Sequence, residues 1–445
     1  MADRPERLRV HAENGAPQSL ACGVEQFQVL GAGADIVVLG LGPEPGALAE
    51  ILPGQGVAYV EHEAFASQMP QGWQAAIPRG WKRIRPAEAA ALLARVGAGG
   101  VRAVLYRPNL RLFPSFWGPL WASAQAAAIG LGADTPARRR EVWMPAHPGG
   151  LLVRELAAAF AAEGLTVRRF EPSDFGPELP AALREGPPAL VFCVNFAGLD
   201  AWGETYNLLE AANVPVAVWC VDNPLHLLSG LRGPFWKRPL ICVTDTSFME
   251  PLMDLGARTV LHLPLAAWDG FAALAEAGEE DRGLADSLVF VGRSEFPDKA
   301  GFFAGLKAAP DILETARRML ELGERPDYHW WVRAMVPERL QGPLWPGRAA
   351  REPGFGAEQA SQAWRGRCLA AATQAGLPLT VYGDAGWDRL VPGLADRRDP
   401  VDYYGPLAAI YRQAGAVLGV TSLLLPAGLT QRHFDVWAAG GLLLS

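Results

Sequence analysis

Short apolar runs of strand length recur along this chain, and most segments between them have helical length and spacing. The runs begin with ADIVVLGLG (34–42), GVAYVEHE (56–63) and RAVLYRP (102–108). EVWMPAHPGG (141–150), LTVRRFE, PALVFCVNF and VPVAVWCVD (ending at 222) follow, then LICVTD, TVLHLPL, SLVFVGR, PLTVYGD, AGAVLGVTS and GGLLLS. Val-, Ile- and Leu-rich runs that lack polar alternation are strands buried on both faces. The stretch LLVRELAAAFAAEG carries apolar residues at helical intervals and stops at Gly164, a helix terminator. Strands alternating with helices imply parallel sheets covered on both sides, so the chain is predicted to be α/β.

At 445 residues the chain exceeds one ordinary core. Residues 1–140 read as an N-terminal α/β domain, in which the Pro43/Pro45/Gly46 turn opens a helix. The pattern restarts over 141–270, with a helix from about Trp202 to Ala212. Residues 271–286 (FAALAEAGEEDRGLAD) are charged and rich in small residues and read as a connector. A third α/β domain then spans 287–445, with helices around 308–323, over 406–414 and from about Thr430. Ser445 directly follows an expected core strand, where a covering helix would normally come, so this last domain reads as incomplete.

Composition removes several classes of function. Half the residues are hydrophobic and 20% are charged, the profile of a folded protein. The net charge of −7, with only short basic runs such as Arg138–Arg140, argues against nucleic acid as a partner. Five cysteines with no CxxC spacing argue against a zinc site, and Cys193, Cys220 and Cys242 sit inside strand-like runs as small hydrophobes. That usage suits a reducing compartment. The segment 1–7 has no apolar stretch behind it and does not read as a signal peptide. No run reaches the ~20 apolar residues of a membrane span. A cytoplasmic location is expected.

Three places carry candidate chemistry. The turn Gly40-Leu41-Gly42-Pro43-Glu44-Pro45-Gly46 lies between a strand and a helix, and Glu61 ends the next strand, where it could hold a ribose. Its spacing is one residue off the dinucleotide fingerprint, and two prolines remove N–H donors, so a structural turn is the competing reading. Asn195 and Asp222 emerge from apolar runs at the carboxyl ends of strands, where open α/β sheets place ligands; each could equally cap the following helix. In the 430s, Gln431, Arg432 and Asp435 share one helix. Arg432 and the helix start could meet a diphosphate, and Asp435 could accept two hydrogen bonds from a ribose diol. A surface Arg–Asp pair is the alternative. Gly440 and Gly441 permit close packing after that helix.

The blocks VNFAGLDAWGE, LLEAANVPVAVWCVDNPLHLL, LICVTDTSFMEPLMDLGARTVLHLPLAA, LVFVGRS and YYGPLAAIYRQAGAVLGVTSLLLPAGLTQRHFDVWAAGGLLLS occur in order across about 141–445. Together they resemble the CgeB-like, DUF3880-type bacterial glycosyltransferases with a group-1-like C-terminal domain; QRxFDxxAxGG is the most specific block. The resemblance implies a GT-B fold, in which two Rossmann-like domains face each other and the second binds a nucleotide-sugar. It implies that Asp435 holds the donor's ribose, where many relatives carry Glu. Arg432 would be the basic residue of the block, and Gly292-Arg293 the approach to the donor phosphates. Thr421 and Ser422 would face the donor, and Lys299 is either a further phosphate partner or a solvated lysine. Relatives continue past the final strand.

The expected reaction is sugar transfer from a nucleotide-sugar, used as co-substrate with no bound cofactor or metal. The acceptor could be a flagellar or spore-surface protein, a glycan or a small molecule. If the reaction inverts configuration, a base is needed in the cleft, and His147 and Asp222 are the candidates. Gly149, Gly150 and Asn195 would line that cleft. Two rival readings are a methyltransferase-like cofactor enzyme acting through residues 34–63 and a non-catalytic sugar- or partner-binding module.

Overall fold

The computed structural model describes residues 8–52, 56–131, 137–279, 281–335 and 347–445. The segment 1–7, expected not to be a signal peptide, lies outside them. The class is α/β, as the alternation predicts, with three largely parallel sheets.

After a short hairpin of Arg9–His11 and Pro17–Ser19, the first sheet uses β1 (Phe27–Leu30), β2 (Asp35–Leu39), β3 (Val57–Val60), β4 (Lys82–Arg83) and β5 (Val101–Tyr106). Their order is β1-β5-β2-β3-β4, with only β1 antiparallel to its neighbour. The second sheet uses β6 (Arg139–Pro145), β7 (Thr166–Phe170), β8 (Pro188–Val194), β9 (Val216–Cys220), β10 (Leu240–Val243) and β11 (Thr259–His262). It runs β11-β10-β9-β8-β6-β7. The third uses β12 (Leu288–Val291), β13 (Leu379–Tyr382), β14 (Asp396–Arg398), β15 (Ala416–Leu418) and β16 (Leu443–Leu444), ordered β14-β13-β12-β15-β16 and parallel throughout. Two compact units result. One holds Met1–Pro148, Ala159–Val218 and Leu231–Pro239; the other holds Gly149–Ala158, Trp219–Gly230 and Leu240–Ser445.

In the third sheet the two faces are divided residue by residue, because successive side chains of a strand point opposite ways. Val289 and Tyr382 join one core cluster with Phe271, Leu407, Tyr411 and Val436. Phe290 and Val381 join another with Leu369, Trp387 and Val391. Helices from opposite sides thereby clamp the sheet, which fixes the strand ends that carry the site.

Local differences from the sequence reading have identifiable causes. The stretch 271–286 is not a plain connector: Asp269–Ala277 is a helix whose Phe271 and Ala275, one turn apart, are buried in the third sheet's core. The Pro43/Pro45/Gly46 turn leads only into a 3-10 stretch, Pro45–Glu50. Helices Tyr328–Met335 and Arg348–Gln374 occupy a region for which the sequence pattern gave no expectation. The longer one contains Pro353, Gly354 and Gly356, residues that normally punctuate helices. A Cβ at Gly354 would lie 1.8 Å from His226 Nε2, and one at Gly356 2.3 Å from the Trp331 ring. The helix can approach both rings only because those side chains are missing.

Candidate functional site

In the third sheet the chain builds outward from β12 through β13 and β14, then returns to add β15 and β16 on the other side. The reversal falls between β12 and β15, and beyond the carboxyl ends of two such strands lies the usual ligand crevice of an open α/β sheet. Gly292-Arg293 follows β12, and Thr421-Ser422 lies just beyond β15. The fold therefore places these four predicted residues at one switch point.

The β12 loop is tightly tethered. Gly292 accepts at its carbonyl from Trp387 Nε1 (2.8 Å), and the Arg293 carbonyl accepts from Arg365 Nη1 (3.0 Å). Asp384 takes hydrogen bonds from the Ser294 N–H (2.9 Å) and hydroxyl (2.6 Å). Buried Glu358 accepts from the Phe296 N–H (2.7 Å); burial raises its pKa, against the opposing charge of Arg365. Held this way, the Arg293 side chain is left exposed. Lys299 fits neither of its expected roles: it is largely covered, donates to Gln362 Oε1 (3.2 Å) and lies 3.9 Å from Glu295. Thr421 accepts from Arg325 (3.2 Å), and Ser422 caps the Leu424 N–H (3.2 Å), so both hydroxyls shape the loop.

The Gln431–Ala438 helix supplies the central acid. Thr430 precedes it as N-cap, a residue type that favours helix starts. Asp435 is 2% exposed and accepts through Oδ1 from Tyr403 Oη (2.9 Å) and Gln431 Nε2 (2.7 Å). Gln431 is itself steered by the Ala266 carbonyl (2.9 Å). Burial raises the Asp435 pKa to about 6, with the Glu155 charge adding to the rise; the two hydrogen bonds and the Arg432 charge act against it. The alternative of an Arg432–Asp435 surface pair therefore gives way to a buried carboxylate fixed through its i−4 neighbour. Arg432 donates to the Val291 carbonyl and lies 4.9 Å over the Phe290 ring, strapping the helix to the end of β12.

Tyrosines extend the cluster. Tyr403 and Tyr404 meet edge to face at 4.9 Å, and Tyr404 donates to Glu155 Oε2 (2.6 Å) under the Arg154 guanidinium. Gly150, predicted to line a cleft, offers its carbonyl to Tyr404 Oη at 3.4 Å, while neighbouring Gly149 is exposed. Three buried atoms in this cluster have no hydrogen-bond partner among the described residues: Gln431 Oε1, Glu155 Oε1 and Arg432 Nε. Leaving such atoms unsatisfied costs roughly 1–3 kcal/mol each. Two acceptors and a donor around a buried carboxylate suit a ligand that carries hydroxyl groups. Sequence reasoning missed Tyr403, Tyr404 and Glu155; the YYGP block precedes the Leu407–Gln413 helix, well before Asp435 in the sequence.

Gly440 and Gly441 end the helix. Gly440 has φ +77° with open space at its Cβ position, and a Cβ on Gly441 would fall 2.4 Å from the Tyr411 carbonyl. Close packing against the Leu407–Gln413 helix explains Gly441, and chain reversal explains Gly440.

The remaining candidates lie elsewhere. His147 is exposed after β6, its Nδ1 2.6 Å from Glu171 Oε2. Asn195 follows β8, adjacent to β6 at the second sheet's own reversal, and opens a turn with φ +54° followed by Phe196 at +63°. Asp222 is exposed after β9, and it is Asn223 that caps the next helix, accepting from the Leu225 and His226 N–H groups. In the first sheet, Glu61 is buried and spends one oxygen on the Leu41 N–H (2.8 Å) and the other on the His62 N–H (2.9 Å). It thus braces the glycine turn it was expected to serve as a ribose ligand.

Residues 365–445 match the model of a glycosyl transferase-like family. The matched stretch contains β13 to β16 and Asp435, and it supports a glycosyl transfer role for an α/β fold consistent with the GT-B class. No curated protein and no solved structure matches the chain. Among the described residues, no helix is long and apolar enough to cross a membrane.

Proposed function

We propose that the chain transfers a sugar from a nucleotide-diphosphate donor to an acceptor hydroxyl or amine, with the donor seated at the β12/β15 end of the third sheet. The observation that carries this reading is Asp435: a buried carboxylate, aimed by Tyr403 and Gln431, beside the switch point and inside the segment that matches glycosyl transferases. Its second oxygen and Gln431 Oε1 would accept from the ribose diol. The exposed guanidinium of Arg293 and the β12 loop would meet the diphosphate, stabilising charge on the leaving group. Arg432 straps that loop through its hydrogen bond to the Val291 carbonyl, which leaves its Nε as a donor toward the ligand. The donor acts as co-substrate, and the proposal requires neither cofactor nor metal.

For an inverting reaction, the His147–Glu171 pair has the form of a general base with its orienting carboxylate. Asp222 would act on acceptor binding, as would Asn195 and Gly149. The CgeB-like affiliation and a cytoplasmic setting belong to this same reading, with a surface protein, glycan or small molecule as acceptor. The test is thermal stabilisation by UDP-, GDP-, TDP- and CMP-linked sugars. At 100 times its dissociation constant a donor adds ~2.7 kcal/mol. A shift with one nucleotide class that disappears in Asp435→Asn supports the assignment; no shift with any of them overturns it.

A further inference from the structure

The first sheet has a cavity that the proposed transfer reaction leaves unused. It measures about 700 Å³ and opens at the carboxyl ends of β3 and β4, between the segments 60–63 and 82–88 and the ring of Phe116. That is the size range of small-molecule sites and the end of a parallel sheet at which they form. The glycine turn after β2 does not line it, although Glu61, the ribose candidate of the 34–63 reading, does.

Its chemistry is uneven in a way that selects a ligand. Arg85 is neutralised by Glu88, 2.8 Å away. Lys82 and Arg83 have no carboxylate within ion-pair distance among the described residues, and Arg83 makes one hydrogen bond, a 3.3 Å contact to the Glu61 carbonyl. Both cations line the cavity and suit an anion with several oxygens, because guanidinium and ammonium groups bind phosphate through charge-assisted hydrogen bonds. The floor differs. Glu61 uses one lone pair of each oxygen on backbone N–H groups, and each oxygen keeps further capacity to accept. Beside it, His62 Nδ1 is buried without a hydrogen-bond partner among the described residues, its ring stacked on Phe113 at 4.1 Å and edge-on to Phe116 at 4.8 Å. Burial holds the His62 pKa down, so the imidazole is neutral and one ring nitrogen can accept a hydrogen bond. Acceptors on the floor and an aromatic wall suit hydroxyl groups and the apolar face of a sugar ring.

We propose that this cavity binds a phosphate monoester of a polyhydroxylated molecule, a sugar phosphate, with the phosphate on Lys82 and Arg83 and the hydroxyls on Glu61 and His62. The site is distinct in residues from the donor site at Asp435, and its occupancy does not depend on the transfer reaction.

Calorimetric titration of the full chain tests this with glucose 1-phosphate and ribose 5-phosphate, alongside glucose, ribose and inorganic phosphate. At least one ester should bind saturably and at least tenfold more tightly than inorganic phosphate or its parent sugar. A Lys82→Ala/Arg83→Ala double variant, altered only at exposed side chains and checked for an unchanged melting temperature, should weaken binding at least tenfold. Asp435→Asn should leave it unchanged. The absence of saturable binding overturns the proposal. So does equal affinity for inorganic phosphate, or loss of binding in Asp435→Asn with retention in the double variant, which would place the ester in the donor site instead.

Discussion

Replacing Asp435 with Asn should separate what the carboxylate does for binding from what it costs the fold. Burial lifts its pKa from 3.8 to about 6. A carboxyl group whose folded pKa is raised is still protonated in the native state when the unfolded chain has ionised. Between those two values the folded protein therefore binds more protons, and stability falls as pH rises. Below pH 4 the penalty is absent, and above about pH 6 it is fully present. About two pKa units at 1.36 kcal/mol each give roughly 3 kcal/mol. Asn retains an oxygen that can accept from both Tyr403 and Gln431, and it carries no charge. Asp435→Asn should thus match the wild type near pH 4 and exceed its stability by up to roughly 3 kcal/mol at pH 7.5. Scanning calorimetry from pH 4 to 8 would show this as a melting difference of several degrees that grows and then levels off. The same variant should lose at least tenfold in donor affinity, because an N–H donor replaces an acceptor needed by the ribose. A variant that melts at or below the wild type at pH 7.5, or a difference flat across the pH range, would refute the argument that the protein keeps a costly buried charge for its ligand.

Three further outcomes are expected. Arg293→Gln should raise the donor KM about tenfold without moving the melting temperature, since its side chain is exposed and only its backbone carbonyl is tethered. Gly441→Ala should cost roughly 1–3 kcal/mol in denaturant titrations, because its Cβ would meet the Tyr411 carbonyl at 2.4 Å, whereas Gly440→Ala has space and should cost only its left-handed backbone penalty of roughly 1–2 kcal/mol. His147→Ala should lower kcat by about 10²–10⁴-fold with donor binding intact, and Glu171→Gln, which loses the carboxylate that orients the ring, should lower kcat less; unchanged kcat in both would remove His147 as the base.

What could be read in the sequence was what is encoded locally. The runs around Val289, Val381 and Val417 announced their strands because a strand buried on both faces must be apolar throughout. The last helix, expected from about Thr430, likewise begins within a residue of that point, at Gln431. The Arg348–Gln374 helix was hidden for the opposite reason. Its Pro353, Gly354 and Gly356 give breaker signals locally, yet the glycines are there for contacts with His226 and Trp331, residues distant in sequence. Phe271 was similarly masked by its charged, alanine-rich surroundings, although an apolar i, i+3, i+4 set is present at Phe271, Leu274 and Ala275.

The same division between local and distant encoding explains the site. Asp435 stood out because it shares one helix with Gln431 and Arg432, a set suited to a ribose and a diphosphate, but its partners were not implied by its neighbours alone. Gln431 lies one turn away and was identified with it. Tyr403 is 32 residues distant, and Tyr404 reaches Glu155 across 249 residues. Arg432 shows how a correct position can carry a different role. Residue type and spacing made it a phosphate ligand, yet the structure has it donating to the Val291 carbonyl at the end of β12. A guanidinium committed to a carbonyl and an aromatic face keeps its charge close to the crevice, where it lowers the Asp435 pKa against burial. Its contribution is then to hold both the loop and the acid in their binding geometry, so Arg432→Lys, which keeps the charge and loses the planar fork, should impair the site more than a count of charges implies.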